Sequence, residues 1–361
     1  MQKKELEKRF KEFCRNLSKK DRVAIVHHSD ADGLCSALVT AKAIERITGN
    51  KPRLVMPYEY GNRKQGKEIT SLLKKEKTNT LVILDLGVDS QPRELIGKCK
   101  FQKCLVIDHH KLYKDLNSEK IVFLKASFFT KKDPSKYVAS KFAYDLFSKI
   151  VDIQDMDWVA CIGILGDMSM ESWQEFIKET IGKRNVSLAW LYRFLDLIAA
   201  VEVIDHEKIP ELFWEFYNAK NPAEILENKF SRHLKEFKDE KDSLVKEFEQ
   251  KCEKQPEIEL MLYEMKARHE NIKSYVINEI SEMHPNKTIV LIQYLGKRVR
   301  FSARRQDSRI AVNDLLTDTI EGIPDSNAGG HVPAAAGSIP TKHLEEFKRN
   351  LISSLRKKKA K

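Results

Sequence analysis

Apolar residues in the first third of the chain fall into short unbroken runs separated by longer segments of mixed polarity. The runs are Val23-Ala24-Ile25-Val26, Leu54-Val55-Met56, Leu81-Val82-Ile83-Leu84, Leu105-Val106-Ile107 and Ile121-Val122-Phe123-Leu124. Runs without polar alternation predict strands buried on both faces, as in a parallel sheet with helices on either side. Helical spacing fills the intervals at 34–48 and 69–75, and Pro92 stands where the first turn of a further helix would lie. Ahead of the first strand, Leu6, Phe10 and Phe13 predict an amphipathic helix within residues 1–20. Beyond Pro134 the period becomes helical, over 137–150, 156–168 and 187–204. The charged stretch from Asn221 to about Ile272 has no glycine and only two prolines, so it predicts a long helical connector, either a strut or a docking surface. Apolar runs at Tyr275–Ile277, Thr288–Ile292 and Arg298–Phe301 then predict strands of a second region. A helix at 311–320, a glycine-rich loop, a last helix from His343 and a frayed tail at 356–361 complete it. The expected architecture is α/β: an N-terminal parallel-sheet domain over 1–205, a helical connector over 206–270, and a smaller C-terminal α/β domain over 271–361.

Composition narrows the class. The chain has 361 residues, 42% of them hydrophobic, and no apolar stretch approaches the ~18–20 residues of a membrane span. The charged start, Met1-Gln2-Lys3-Lys4-Glu5, has no apolar signal region, which predicts a cytoplasmic protein with no membrane partner. Six scattered cysteines without a CxxC read as reduced thiols rather than a zinc site. Net charge is +11, and residues 271–361 hold 16 Lys+Arg against 9 Asp+Glu. That excess fits a polyanionic partner and equally a solubilising surface. The 32% charged content also matches a thermophilic source.

The candidate chemistry sits at the ends of the predicted strands. His28-Ser29-Asp30-Ala31-Asp32-Gly33 follows the first, Leu84-Asp85-Leu86-Gly87 closes the third, and Ile107-Asp108-His109-His110 closes the fourth. In a parallel sheet, ligands bind beyond the C-terminal strand ends. One DxD alone reads as a helix cap, and one histidine pair as surface. Three such sites on successive parallel strands instead converge on one crest. Clustered carboxylates repel unless cations offset them, and mixed carboxylate and imidazole donors suit Mn²⁺ better than Mg²⁺. Two such ions roughly 3.5–4 Å apart clamp a phosphate and activate water. Asp167, ending the apolar helix from Cys161, adds a further acidic donor. His27 is expected to face the other side of its strand end as a structural residue.

In order and spacing, Ser29-Asp30-Ala31-Asp32-Gly33, Leu84-Asp85-Leu86-Gly87, Asp108-His109-His110 and Gly166-Asp167 resemble the four successive motifs of the DHH phosphoesterase superfamily. The resemblance implies that His28, Asp30 and Asp85 hold one Mn²⁺. It implies that Asp32, Asp85, His109 and Asp167 hold a second, with Asp85 bridging and Mg²⁺ as a substitute. His110 would contact the scissile phosphate, and Asp108 would orient His109 or the neighbouring backbone. Bacterial RecJ nucleases carry Asp where this chain has His28, a change that keeps a ligand and bears on metal preference. A lone glycine-rich segment is usually a turn, but Ala328–Gly337 resembles the GGHxxAAG loop of the DHHA1 domain, and Ser302-Ala303-Arg304 resembles its substrate-gripping element. Ser302, Arg304, Gly329, Gly330 and His331 are therefore expected to bind substrate. Phe301 reads as core, with base stacking as the alternative.

The implied function is a Mn-dependent phosphodiester hydrolase with its active site in a cleft between the domains. A RecJ-like exonuclease of archaeal type, acting on single-stranded DNA or RNA in DNA repair, is the leading form. It would work with replication or repair proteins and without the OB-fold domain that bacterial RecJ carries. A nanoRNase or linear-dinucleotide phosphodiesterase is the first alternative, and a non-catalytic RecJ-like replisome scaffold the second.

Overall fold

The five apolar runs of the N-terminal half become the five strands of one parallel sheet. They are β1 (Val23–His27), β2 (Leu54–Pro57), β3 (Thr80–Leu84), β4 (Lys103–Asp108) and β5 (Ile121–Lys125). The protein is described here by a computed structural model covering residues 2–59, 62–90 and 95–359. Spatial order in the sheet is β2-β1-β3-β4-β5, with every pair parallel. The chain steps from β1 out to β2 and returns past β1 to β3, so the strand order reverses between β1 and β3. A doubly wound sheet opens a crevice at that reversal, beyond the C-terminal strand ends.

Helices α1 (Lys3–Arg15), α2 (Ala31–Thr48) and α3 (Arg63–Lys75) accompany the first strands. α2 is buried on nearly every side, which accounts for its run of Ala, Ser, Thr and Gly, and Gly49 ends it in the left-handed conformation (φ 75°). The helix expected around Pro92 falls on residues 91–94, outside the described residues; a single 3-10 turn, Ile96–Lys98, follows. Six helices complete this half: α4 (Ala139–Phe147), α5 (Asp157–Gly166), α6 (Gln174–Arg184), α7 (Leu188–Ile204), α8 (Ile209–Asn218) and α9 (Pro222–Leu226). The apolar pattern did not reveal α6; α8 falls at the start of the helical connector expected over 206–270, and Pro210 in its first turn is a start signal.

The chain divides into two compact units, residues 1–232 and 233–361. The second contains α10 (Arg232–Lys251), β6 (Glu253–Gln255), β7 (Leu260–Met265), α11 (Lys273–Met283), β8 (Thr288–Leu295), β9 (Arg298–Arg304), α12 (Val312–Ile320), β10 (Asn327–His331), β11 (Ala334–Pro340) and α13 (Leu344–Lys359). Its six strands form a mixed sheet in the order β10-β11-β9-β8-β7-β6, in which only β7 and β8 run parallel. A parallel-sheet domain, a helical region and a second α/β domain thus follow one another as expected.

Four local expectations are corrected. The helical region ends at Lys251, and β6 and β7 occupy the stretch assigned to its last part. Tyr275-Val276-Ile277 is helical, part of α11, which buries Val276, Ile277 and Ile280 on one face. The glycine-rich segment is a β-hairpin rather than a loop, with Gly329 opposite Ala336 and Gly330 opposite Ala335. Gly330 has φ 141°, and a Cβ there would overlap the Ala334 carbonyl oxygen. The basic tail is helical as far as Lys359. Among the described residues, no helix is long and apolar enough to cross a membrane.

Candidate metal centre and substrate-binding face

The turn from β1 into α2 carries the first donors. A Cβ at residue 33 would overlap the His28 carbonyl oxygen, so only glycine allows this tight return. Asp30 caps α2: its Oδ1 accepts the Gly33 N–H at 2.9 Å, and its Oδ2 lies 2.7 Å from His28 Nδ1. Asp32 is buried and braced from a distant element. Its Oδ2 accepts the Ala139 N–H at 2.6 Å and its Oδ1 the Ser140 N–H at 2.9 Å, at the N-terminus of α4. Gly163 of α5 makes room for this contact, because a Cβ there would crowd Ser140 and Asp32.

Asp85 leaves β3 in the left-handed region, with φ 58°, and is buried. A non-glycine residue in that conformation is strained unless its surroundings enforce it. The Asp85 N–H donates to the Ile107 carbonyl at 3.0 Å, tying it to the end of β4. From β4, His109 Nδ1 donates to the Ser135 carbonyl at 2.9 Å. That bond fixes the tautomer and leaves Nε2 as a lone-pair donor. Nε2 lies 3.2 Å from Asp85 Oδ1 and 3.3 Å from Asp167 Oδ2, which comes from the C-terminal cap of α5.

Three donor sets emerge: His28, Asp30 and Asp85; Asp32, His109 and Asp167; and Asp85, His109 and His110. Within each, the donor atoms lie within 4.8 Å of one another. All six residues expected to hold metal are thus drawn together at the β1/β3 crevice. The electrostatics fit cations. Burial and the charges of Asp85 and Asp167 push Asp32 well above the usual carboxylate range. Burial pushes Asp167 to about 6, aided by Asp30 and Asp85 against His109. Burial disfavours charge on His109, yet Asp85 and Asp167 raise it well above an ordinary histidine. Asp85 Oδ1 is buried, with the ring nitrogens of His109 and His110 at 3.2 and 3.7 Å. Buried carboxylate oxygens and imidazole nitrogens gathered this closely are a donor set that suits a divalent cation.

Asp108 adjoins this cluster through His110 and its backbone. Its Oδ1 accepts from the His110 backbone N–H at 3.1 Å and lies 2.7 Å from His110 Nδ1, so it orients His110 and not the His109 ring. Its Oδ2 pairs with Lys125 Nζ. Burial opposes the charge of Asp108, but His110 and Lys125 hold its carboxyl far below the usual range. Lys125 is fully buried and lies 3.0 Å from Asp89 Oδ1 as well. Neither Lys125 nor Asp89 was foreseen. The signal was present in the pairing of β4 with β5, which sets Lys125 directly opposite Asp108. His27 is buried, with Nδ1 2.6 Å from the His28 carbonyl oxygen and its ring tilted against Phe213.

In the second unit, strand register groups the expected substrate contacts. His331, Ala334 and Arg304 are successive partners across β10, β11 and β9, as are Gly329, Ala336 and Ser302. Cross-strand partners share a face, so His331 and Arg304 flank the small Ala334 on one side of the sheet. Arg304 Nε donates to Asn278 Oδ1 at 3.0 Å, which steadies the guanidinium. The opposite face is core: Phe301 is buried against Phe347, with ring centroids 4.4 Å apart. Phe301 is therefore a packing residue and offers no ring to a base. Arg305 is also structural, buried between Glu259 and Asp307, each at 2.7 Å.

A parallel sheet whose strand ends gather carboxylates and imidazoles, followed by a mixed-sheet unit, is the two-part fold of a phosphoesterase class, here with a candidate metal centre. The DHH family N-terminal domain matches residues 22–164 and the DHHA1 domain matches residues 260–357. The chain belongs to the DHH family, with a DHHA1 domain following its DHH domain. Its fold is similar to RecJ from Thermus thermophilus in complex with Mn²⁺, with TM-score 0.69, 15% identity, 98% of this chain covered and 54% of that one. A second similar structure is an exonuclease RecJ bound to manganese, with TM-score 0.67, 16% identity and coverage of 97% and 94%. A third is a pGpG-specific phosphodiesterase from Vibrio, with TM-score 0.50, 13% identity and coverage of 93% and 99%. The chain spans about half the length of Thermus RecJ. Direct sequence comparison with curated proteins finds no match.

Proposed function

We propose that this protein is a RecJ-like exonuclease that hydrolyses phosphodiester bonds of single-stranded DNA or RNA with two divalent cations, Mn²⁺ preferred and Mg²⁺ as a substitute. The observation that carries this reading is the convergence of the six donors His28, Asp30, Asp32, Asp85, His109 and Asp167 at the β1/β3 crevice. His28, Asp30 and Asp85 would hold one cation, and Asp32, Asp85, His109 and Asp167 the other. When bound, such a pair clamps a phosphate and makes water nucleophilic near neutral pH. The chain's own groups do the rest. The bond from His109 Nδ1 to the Ser135 carbonyl turns Nε2 towards Asp85 and Asp167, where it would serve as the metal-binding atom. His110, 40% exposed and held by Asp108, offers a donor to a non-bridging oxygen as negative charge develops there. Water adds to phosphorus, the ester bond to the leaving sugar oxygen breaks, and that oxygen takes up a proton.

Arg304 and His331 supply contacts to strand phosphates, with Ser302 on the same face but buried, Gly329 leaving open space and Gly330 shaping the hairpin. The basic excess of residues 271–361 supports a long polyanionic substrate. A cytoplasmic role beside replication or repair proteins follows from the same reading. A short-substrate alternative stands beside this reading, because a pGpG-specific phosphodiesterase shares the fold. The complete donor set speaks against a non-catalytic scaffold.

Digestion of end-labelled single strands of three and thirty nucleotides with Mn²⁺ separates these readings. Stepwise shortening of the long strand is expected. Cleavage of the short strand alone would shift the function to an oligonucleotide or dinucleotide phosphodiesterase, and no cleavage would overturn hydrolysis. Arg304→Ala is expected to weaken single-strand binding about tenfold and to lower the salt slope of binding by about one. Fluorescence anisotropy across a salt series measures both. An unchanged affinity and slope would remove Arg304 from the substrate path.

A further inference from the structure

The segment that follows His110 has no regular secondary structure, yet buried ions fix its backbone. Lys125 Nζ donates to the His110 carbonyl at 3.2 Å and to the Lys111 carbonyl at 3.3 Å. Asp89 Oδ2 accepts the Tyr113 N–H at 2.6 Å and the Lys114 N–H at 3.2 Å. Lys125 and Asp89 are themselves paired at 3.0 Å, and Lys125 also pairs with Asp108, which holds His110. One buried network therefore positions His110 and the segment after it.

That anchored segment sorts its side chains in an unusual way. Leu112 and Leu116 turn inward against the core of the sheet. Lys111, Tyr113 and Lys114 are exposed, Tyr113 at 63%. Lys111 Nζ lies 5.6 Å from the Tyr113 ring centroid. Three residues span at most ~10 Å of extended chain, so Tyr113 stands close to the phosphate contact assigned to His110. A large exposed ring on a rigid backbone gives up little conformational entropy when a flat ligand stacks on it. An aromatic platform flanked by cations is what a single strand requires, because every base has a π-face and every linkage a charge.

We propose that Tyr113, with Lys111 and Lys114, forms a nucleobase subsite beside the metal centre: the base next to the scissile phosphate stacks on the Tyr113 ring, and the two lysines hold neighbouring phosphates. The subsite rests on the hydrolase reading above and deepens it. It contributes no base-edge hydrogen bonds, so it accepts any of the bases.

The test uses the full-length Mn²⁺-loaded protein on a short single strand and on a fully abasic oligomer of equal length. Tyr113→Ala raises KM for the base-containing strand about tenfold and leaves kcat within about twofold. Tyr113→Phe and Tyr113→Trp stay close to wild type. On the abasic oligomer, Tyr113→Ala and wild type have the same KM. In chelator, wild type quenches a 2-aminopurine placed at the strand end, and Tyr113→Ala does not. A wild-type KM in Tyr113→Ala, or an equal loss on the abasic oligomer, would overturn the subsite while leaving the hydrolase standing. A wild-type protein that hydrolyses neither strand would bring down the hydrolase reading and the subsite together.

Discussion

Asp85→Asn is expected to keep the fold, lose metal-dependent hydrolysis by about 10³-fold or more, and unfold at a higher temperature than wild type in chelator. The left-handed backbone of Asp85, with φ 58°, makes Asn the right replacement, since Asn tolerates that conformation nearly as well as Asp. Asp85 sits between His28 and His109, and its charge helps push Asp32 and Asp167 upward. Removing that charge relieves repulsion in the metal-free protein and takes the shared donor out of both proposed cation sites. Thermal unfolding with and without Mn²⁺ reads both effects. At a hundredfold excess over Kd, a bound cation stabilises wild type by about 2.7 kcal/mol. The Asp85→Asn protein should show little of that gain. A variant that still hydrolyses single strands, or still gains stability from Mn²⁺, would sink the two-cation site.

Lys125→Met is expected to have the largest effect on stability, destabilising the first unit by about 3–5 kcal/mol. The replacement fills a similar volume but leaves Asp108 and Asp89 buried without their shared counter-ion. For a unit of this size the loss lowers Tm by roughly 10 °C. The Asp108 carboxyl is held low in the folded wild type, so its stabilising contribution is present above about pH 4 and fades as pH falls further. The deficit of Lys125→Met should therefore shrink in acid. Adding Asp89→Asn and Asp108→Asn to Lys125→Met should restore much of the lost stability, because no unpaired charge then remains. A Lys125→Met protein that melts like wild type at neutral pH would show that the two carboxylates do not depend on this ammonium.

Both variants probe groups that differ in how openly the sequence displays them. Asp30, Asp32, Asp85 and His109 were legible because apolar runs mark parallel strands and a parallel sheet aims its strand ends at one crest. Lys125 was hidden at the end of an apolar run, and its meaning appears only once β5 is laid beside β4. Ser135, Ala139 and Ser140 act through backbone atoms, which leave no mark in residue type. Elsewhere, Tyr275-Val276-Ile277 misled because three apolar residues suit a strand and a buried helical face equally. The strand β7 was lost inside a charged, helix-rich stretch. The strands β10 and β11 are mostly glycine and alanine, residues of low strand preference; at Gly330 and Gly337 a larger residue would collide across the hairpin or with Phe301.

Asp32 is steadied by the first turn of a helix more than a hundred residues downstream. The placing of the Asp32 carboxylate thus depends on how firmly α4 is docked as well as on the short turn that carries Asp30 and Asp32. An excursion of α4 away from α2 would release that carboxylate while the sheet stayed whole. The Ala139 and Ser140 amides would then be among the first to exchange with solvent, making them a built-in gauge of whether a given molecule is assembled for chemistry.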